Sequence, residues 1–214
     1  MTLTPRLPEP AATRAREPSK GDRREAAILQ TAWGLLFVKP LGSITVGDLT
    51  KGADISRSTF YFYFESKDAV VRALAQRVGD DIRQATKGFG LGADGTVEDL
   101  RSAIAGYIDR WRRSGPALRA MAEHTAEDAD LREFWHGVTE DILAEVAETI
   151  EHARRSGAML PGPPTPLDLA RALFGMLLSA AQSCSERDAS DGDVDRLVET
   201  LTVVFERALG TIPG

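Results

Sequence analysis

The chain has 214 residues, a single cysteine, 43% hydrophobic residues and a formal net charge of −6 at pH 7. That length supports a compact domain, or a small domain joined to a larger one, without covalent staples, and one thiol excludes an internal disulfide framework or a Cys-rich metal cluster. Residues 1–87 carry 14 Lys and Arg against 10 Asp and Glu, and residues 88–214 carry 12 against 22, so a part of charge +4 precedes one of −10, as expected where only the N-terminal module faces phosphates.

Residues 1–21, rich in Pro, Ala and Arg without apolar periodicity, read as a disordered basic arm whose cations include Arg14 and Arg16. No segment approaches the roughly 18 uncharged apolar residues of a membrane span. A soluble, cytoplasmic protein with no membrane partner is therefore expected.

Elsewhere apolar residues recur at helical spacing, and the fold class expected is all-α with about nine helices. The first helix runs from about Arg23 to Val38, with Asp22 as N-cap, Glu25 in the capping-box position and Ile28, Leu29, Ala32, Leu35 and Leu36 as its buried stripe. A second, barely two turns long, starts at Thr45 with Asp48 answering from the third position. The third begins at Ser56 and ends before Glu65, because Ser66 caps a long fourth helix, about 67–87. The Gly-rich "KGFGLGADG" then breaks the chain.

Thr96 is expected to cap a fifth helix that stops at "SGP", with a short sixth after Pro116. A long seventh helix spans about 130–155 and an eighth about 167–185. The ninth spans about 194–209. The domains predicted are a small N-terminal helical unit, 22–66, and a larger helical unit, 67–214.

The second and third helices, joined by Gly52-Ala53-Asp54, have the anatomy of a helix-turn-helix. On the third helix, Phe60 and Phe64 share one face with Ile55 and belong to a small core with Val46 and Leu49. Ser58, Thr59, Tyr61 and Phe62 point away, and Tyr63 sits at the edge. Outward Ser and Thr suit base edges or phosphates, aromatic rings suit thymine methyls, and Tyr hydroxyls suit the backbone. Thr45, Ser56, Arg57 and Lys67 stand at helix starts, where backbone N–H groups already favour an anion.

The stretch "ITVGDLTKGADISRSTFYFYFESKDAVV", with Tyr61, Tyr63, Phe64, Ser66, Lys67, Asp68 and Val70 in register, resembles the DNA-binding domain of the TetR family of bacterial transcriptional regulators. The version "STFYFYFESKDAV" is similar to the actinobacterial, ethionamide-resistance type within that family. The resemblance implies a homodimer that binds double-stranded operator DNA and is released by a small effector held in a C-terminal bundle. It carries DNA contacts to Thr45, Ser56, Arg57, Thr59, Tyr61, Tyr63 and Lys67. Ser58 and Phe62 stand where relatives vary, so no operator sequence is implied.

Position matching with that type implies a pocket lined by Leu100, Ile104, Tyr107, Trp111, Trp135, Thr139, Ile142, Phe174 and Leu177. Bulky aromatics or amides are replaced there by Ile, Phe or Leu, which points to a more apolar effector. The eighth and ninth helices are apolar on more than one face, as burial against both a bundle and a partner requires. Leu169, Leu173, Met176, Leu197, Leu201, Val204 and Phe205 are the candidates for a dimer interface. Two recognition helices in such a dimer, roughly 34 Å or more apart, call for a palindromic operator. The mechanism expected is a population shift in which effector binding moves the fourth helix.

Catalysis finds little support. His124, His136 and His152 lack metal-ligand spacing, "GFGLGADG" has no preceding strand to make it a phosphate loop, and Cys184 sits on an apolar helix with no neighbouring His. Neither enzyme activity nor a cofactor is expected. A helical protein-interaction module that does not read DNA stays open as the alternative, with the basic arm and the outward aromatics against it.

Overall fold

The computed structural model describes residues 6–7, 19–86, 97–125, 128–186 and 189–210. Among them are nine helical elements and no strand: α1 (Lys20–Leu36), a 3-10 turn (Leu41–Ser43), α2 (Val46–Gly52), α3 (Arg57–Tyr63), α4 (Lys67–Thr86), α5 (Val97–Thr125), α6 (Ala129–Ser156), α7 (Pro166–Glu186) and α8 (Asp191–Leu209). The expected all-α class and helix count are found, with a different composition. The predicted fifth and sixth helices are one, because α5 runs through Ser114-Gly115-Pro116, and the 3-10 turn has no counterpart in the prediction. The expected cap of α5, Thr96, lies outside the described residues.

The chain forms two compact units: Met1–Ile82 with Pro116–Trp135, and Arg83–Gly115 with His136–Gly214. In this division most of α4 and the segment Pro116–Trp135 group with the helix-turn-helix, whereas the expected domains meet between residues 66 and 67. Apolar burial explains the first part of this. Val70, Val71, Leu74, Ala75 and Val78 of α4 are all buried.

In the first unit, α1 starts three residues earlier than predicted. Ser19 is the N-cap and Asp22 is the answering residue of its capping box, so Asp22 holds the third position and not the cap. Both residue types cap well, and the one that leaves the other at the third position satisfies two backbone N–H groups at once. Residues of the predicted arm also have a place: Leu7 is buried and its N–H donates to the Gln30 side chain at 2.9 Å. Ile28, Leu29, Ala32, Trp33 and Leu36 form the inner face of α1, whereas Leu35 is only half-buried.

The turn between α2 and α3 is fixed by two residues. Gly52 passes so close to α1 that an added Cβ would stand 2.3 Å from Thr31 Cγ2, an impossible approach. Asp54 takes the left-handed conformation, φ 52°, which Asp tolerates better than most side chains. Ile55 then donates its N–H back to the Thr50 carbonyl at 3.0 Å and closes the turn.

In the second unit, one continuous core joins Leu100, Ile104, Tyr107 and Ile108 of α5, Leu143 and Ile150 of α6, Leu173 and Leu177 of α7, and Val198, Leu201 and Phe205 of α8. Ser190 caps α8 at its start, and Gly210, φ 60°, ends it in the left-handed conformation that suits glycine. The Leu160 N–H donates to the Gly210 carbonyl at 3.2 Å and ties down that end.

Candidate nucleic-acid interface

Both short helices of the turn motif depend on their caps, because neither is long enough to be stable alone. Thr45 Oγ1 accepts the Asp48 N–H at 3.1 Å, while Asp48 Oδ2 accepts the Thr45 N–H and hydroxyl, each at 2.8 Å. The same carboxylate oxygen takes the Lys39 ammonium at 2.7 Å. These contacts, Lys39 first and then Thr45, hold the Asp48 carboxyl far below the ordinary carboxylate range. Lys39 thus joins the segment after α1 to the start of α2. It is a positioning residue that helical periodicity could not reveal, because it lies beyond the last turn of its helix.

At α3, Ser56 Oγ accepts the Thr59 N–H at 3.1 Å and hydrogen-bonds the hydroxyls of Ser58 and Thr59, each at 2.8 Å. The three hydroxyls therefore form one cluster at the helix start. Ser56, Arg57 and Ser58 are exposed and Thr59 is half-buried. Arg57 bends back toward α2, so that a Cβ added to Gly47 would stand 3.9 Å from its guanidinium.

The five consecutive aromatics divide as the helical wheel requires. Phe60 is fully buried and Phe64 is 7% exposed, with ring centroids 6.2 Å apart. Tyr61 is 56% and Phe62 79% exposed. These two are held by edge-on contacts, Tyr61 against Phe60 at 5.4 Å and Phe62 against Tyr63 at 5.1 Å. Tyr63 is half-buried, and its hydroxyl lies close to the start of α1, 3.6 Å from where a Cβ on Gly21 would be.

Lys67 begins α4, which Ser66 caps by accepting the Ala69 N–H. Its ammonium donates to the Leu41 carbonyl at 3.3 Å. The cation is thereby fixed beside the 3-10 turn instead of extending freely. Thr45, Ser56, Arg57, Ser58, Tyr61 and Phe62 form the exposed set, and Thr59, Tyr63 and Lys67 are half-buried beside them.

The residues matched to an effector pocket are brought together only in part. Leu100, Ile104, Tyr107 and Leu177 are buried in the core of the second unit, with Trp111 and Phe174 packed against it. Tyr107 meets Phe174 edge-on at 6.2 Å. Burial pushes its hydroxyl up to about 12, opposed by the hydrogen bond with Trp111. Ile142 is buried outside that cluster, and Thr139 is half-buried. Trp135 belongs to the first unit, where its ring lies 5.5 Å from that of Phe134.

The interface candidates separate more sharply. Leu169, Leu173, Leu201 and Phe205 are buried within the chain's own core, and Leu197 packs against it. Met176 is 41% and Val204 37% exposed. An apolar residue on a two-faced helix cannot be assigned to core or surface without knowing the helix's rotation.

Among the described residues no group of His, Cys, Asp and Glu is placed to hold a metal ion, and no helix is long and apolar enough to cross a membrane.

Residues 28–74 match the family described as "Bacterial regulatory proteins, tetR family", and residues 100–210 match "Transcriptional regulator EthR, C-terminal domain". The HTH-type transcriptional regulator EthR of Mycolicibacterium smegmatis is 36% identical over an alignment that covers 100% of this chain and 98% of that protein. The EthR of Mycobacterium tuberculosis is 38% identical over 70% of this chain and 69% of its own length. Among solved structures, Salmonella enterica GusR superimposes with a TM-score of 0.74 at 16% identity, covering 91% of this chain and 99% of GusR. A TetR-family transcriptional regulator from Streptomyces coelicolor gives 0.68 at 19%, covering 88% and 96%. At such identities these two likenesses speak for the fold alone.

Proposed function

Because the chain belongs to the TetR family of bacterial transcriptional regulators and carries a C-terminal domain of the EthR type, we propose that it is a cytoplasmic repressor that binds a palindromic operator as a homodimer and is released by a small apolar effector. The family is one of HTH-type transcriptional regulators and not of enzymes. The observation that carries the reading is the division of α3. Phe60 and Phe64 supply its core contacts, which leaves Tyr61 and Phe62 largely exposed, beside the hydroxyls of Ser56 and Ser58 and the cation of Arg57. Such a surface matches a major groove, with hydroxyls and cation for phosphates and base edges and rings for thymine methyls.

The effector is assigned to the second unit, around Tyr107, Trp111 and Phe174, where the core carries its aromatic rings. The face of α7 and α8 available to a second copy is the one bearing Met176 and Val204, since their former companions Leu169, Leu173, Leu201 and Phe205 are taken by the protomer. Coupling runs through α4. It begins at the reading unit, and its Arg83 pairs with Asp141 of α6 at 3.1 Å within the second unit. An effector then lowers DNA affinity only as far as it prefers the state in which the reading heads are misplaced.

Selection of bound fragments from sheared genomic DNA tests this reading. It predicts recovery of a two-fold symmetric motif whose half-sites lie one helical turn or a multiple apart. Recovery of fragments without a shared motif would favour the protein-interaction alternative.

A further inference from the structure

The two exposed rings of α3 are not equivalent. Ser58 and Phe62 stand four residues apart on the face opposite Phe60, and both are exposed. Phe62, at 79%, is the most exposed large apolar side chain among the described residues. A lone apolar side chain on a surface is ordinary. What sets this one apart is its backing and its company.

Its ring meets that of Tyr63 edge-on, with centroids 5.1 Å apart and planes at 84°. Tyr63 is itself half-buried, with its hydroxyl close to the start of α1. The outward ring therefore rests on a supported neighbour, and its direction is set before any partner arrives. Around it the surface is polar: Ser56 and Ser58 hydrogen-bond through their hydroxyls at 2.8 Å, and Arg57 is exposed beside them.

Chemistry then narrows what the ring can meet. A phenyl group has no donor or acceptor, so phosphates and polar base edges offer it no hydrogen bond. The apolar group that the major groove presents is the C5 methyl of thymine. Tyr61 differs on both counts, since its ring packs on Phe60 at 5.4 Å and its hydroxyl can serve a phosphate.

We propose that Phe62 is a specificity-determining residue that reads the C5 methyl of one thymine in each operator half-site. The inference rests on the DNA-reading role proposed above and goes further by naming the chemical group that is read and the side chain that reads it. Covering one methyl is worth about a fourfold change in affinity, and the two half-sites together about fifteenfold.

Deoxyuridine lacks only that methyl, which makes the test direct. In the duplex recovered from genomic DNA, thymines are replaced by deoxyuridine one symmetric pair at a time, and affinity is read by fluorescence anisotropy. The unmodified chain should lose about fifteenfold at one pair of positions. Phe62→Ala should bind the thymine duplex more weakly by a similar factor and be indifferent to deoxyuridine at that pair. Phe62→Leu, which keeps an apolar branch, should retain part of the thymine preference. Tyr61→Ala, though weaker overall, should retain it in full. Thermal denaturation should show all three variants folded, with only the small loss expected from one edge-on ring contact. A methyl effect that persists undiminished in Phe62→Ala, that disappears in Tyr61→Ala, or that is found at no position would overturn the proposal while leaving the DNA-reading role intact. Failure of the unmodified chain to prefer the native duplex over a scrambled one would overturn that role, and the proposal with it.

Discussion

The two compact units bury similar kinds of residue but constrain them differently. In the first, local geometry restricts single positions: the Gly52 backbone against the Thr31 side chain, Asp54 in a left-handed turn, and a capping residue at the start of each short helix. In the second, long helices meet through Leu, Ile, Val and Ala, and many aliphatic combinations of equal volume would pack as well. Close approach leaves marks in a sequence that broad apolar contact does not. The turn motif is therefore recognisable over a few tens of residues, whereas the second unit is matched over the whole of residues 100–210 and offers no short motif.

Four substitutions sharpen that contrast, from the largest expected effect to the smallest. Phe60→Ala should cost about 3–5 kcal/mol, the usual loss for a fully buried aromatic, and in the small first unit this amounts to loss of the fold, read by thermal or urea denaturation. Gly52→Ala should cost about 1–3 kcal/mol by overpacking, with a substantial part returned by Thr31→Ala in the double variant. If Gly52→Ala alone proved neutral, α1 and α2 would not approach as described.

Ser56→Ala should cost about 1 kcal/mol through the lost cap of α3, together with weaker DNA binding, because the same oxygen organises Ser58 and Thr59. The smallest effect concerns acid. The Asp48 carboxyl is held below its ordinary value of 3.8 in the folded chain, so the folded state favours its ionised form. That contribution is present above about pH 4 and is lost as the pH falls further. Asp48→Asn should therefore lower stability at pH 7 and flatten the acid limb of a stability–pH curve, and an unchanged acid limb would show that the contacts from Lys39 and Thr45 contribute nothing.

Much of the first unit could be read from the residues alone. The caps Thr45 and Ser56, the end of α3 before Glu65 and the inward placement of Phe60 and Phe64 all follow from local chemistry and helical spacing. The failures have physical causes. Ser19 and Asp22 are both good N-caps, and only the paired hydrogen bonds decide between them. Pro116 reads as a helix end because it lacks an N–H, yet α5 continues through it, so its neighbours outweigh one missing hydrogen bond. The burial of Leu7 on α1 has no periodic signal, since a single apolar residue in a polar arm makes no pattern. For α7, helix rotation was the missing quantity, and with it Leu169 and Leu173 belong to the core while Met176 faces outward.

The central claim is that the outward row of α3 reads DNA sequence while its inward row holds the fold. The most direct test is fluorescence anisotropy on a duplex recovered from the native genome and on its scrambled counterpart, over a salt series, for the unmodified chain and Tyr61→Ala. The account predicts salt-sensitive binding that prefers the native duplex, and a loss of about tenfold or more of that preference in Tyr61→Ala. The variant should stay folded, with only the small loss of stability expected from its edge-on contact with Phe60. Undiminished preference in Tyr61→Ala, or equal binding of both duplexes by the unmodified chain, would contradict it.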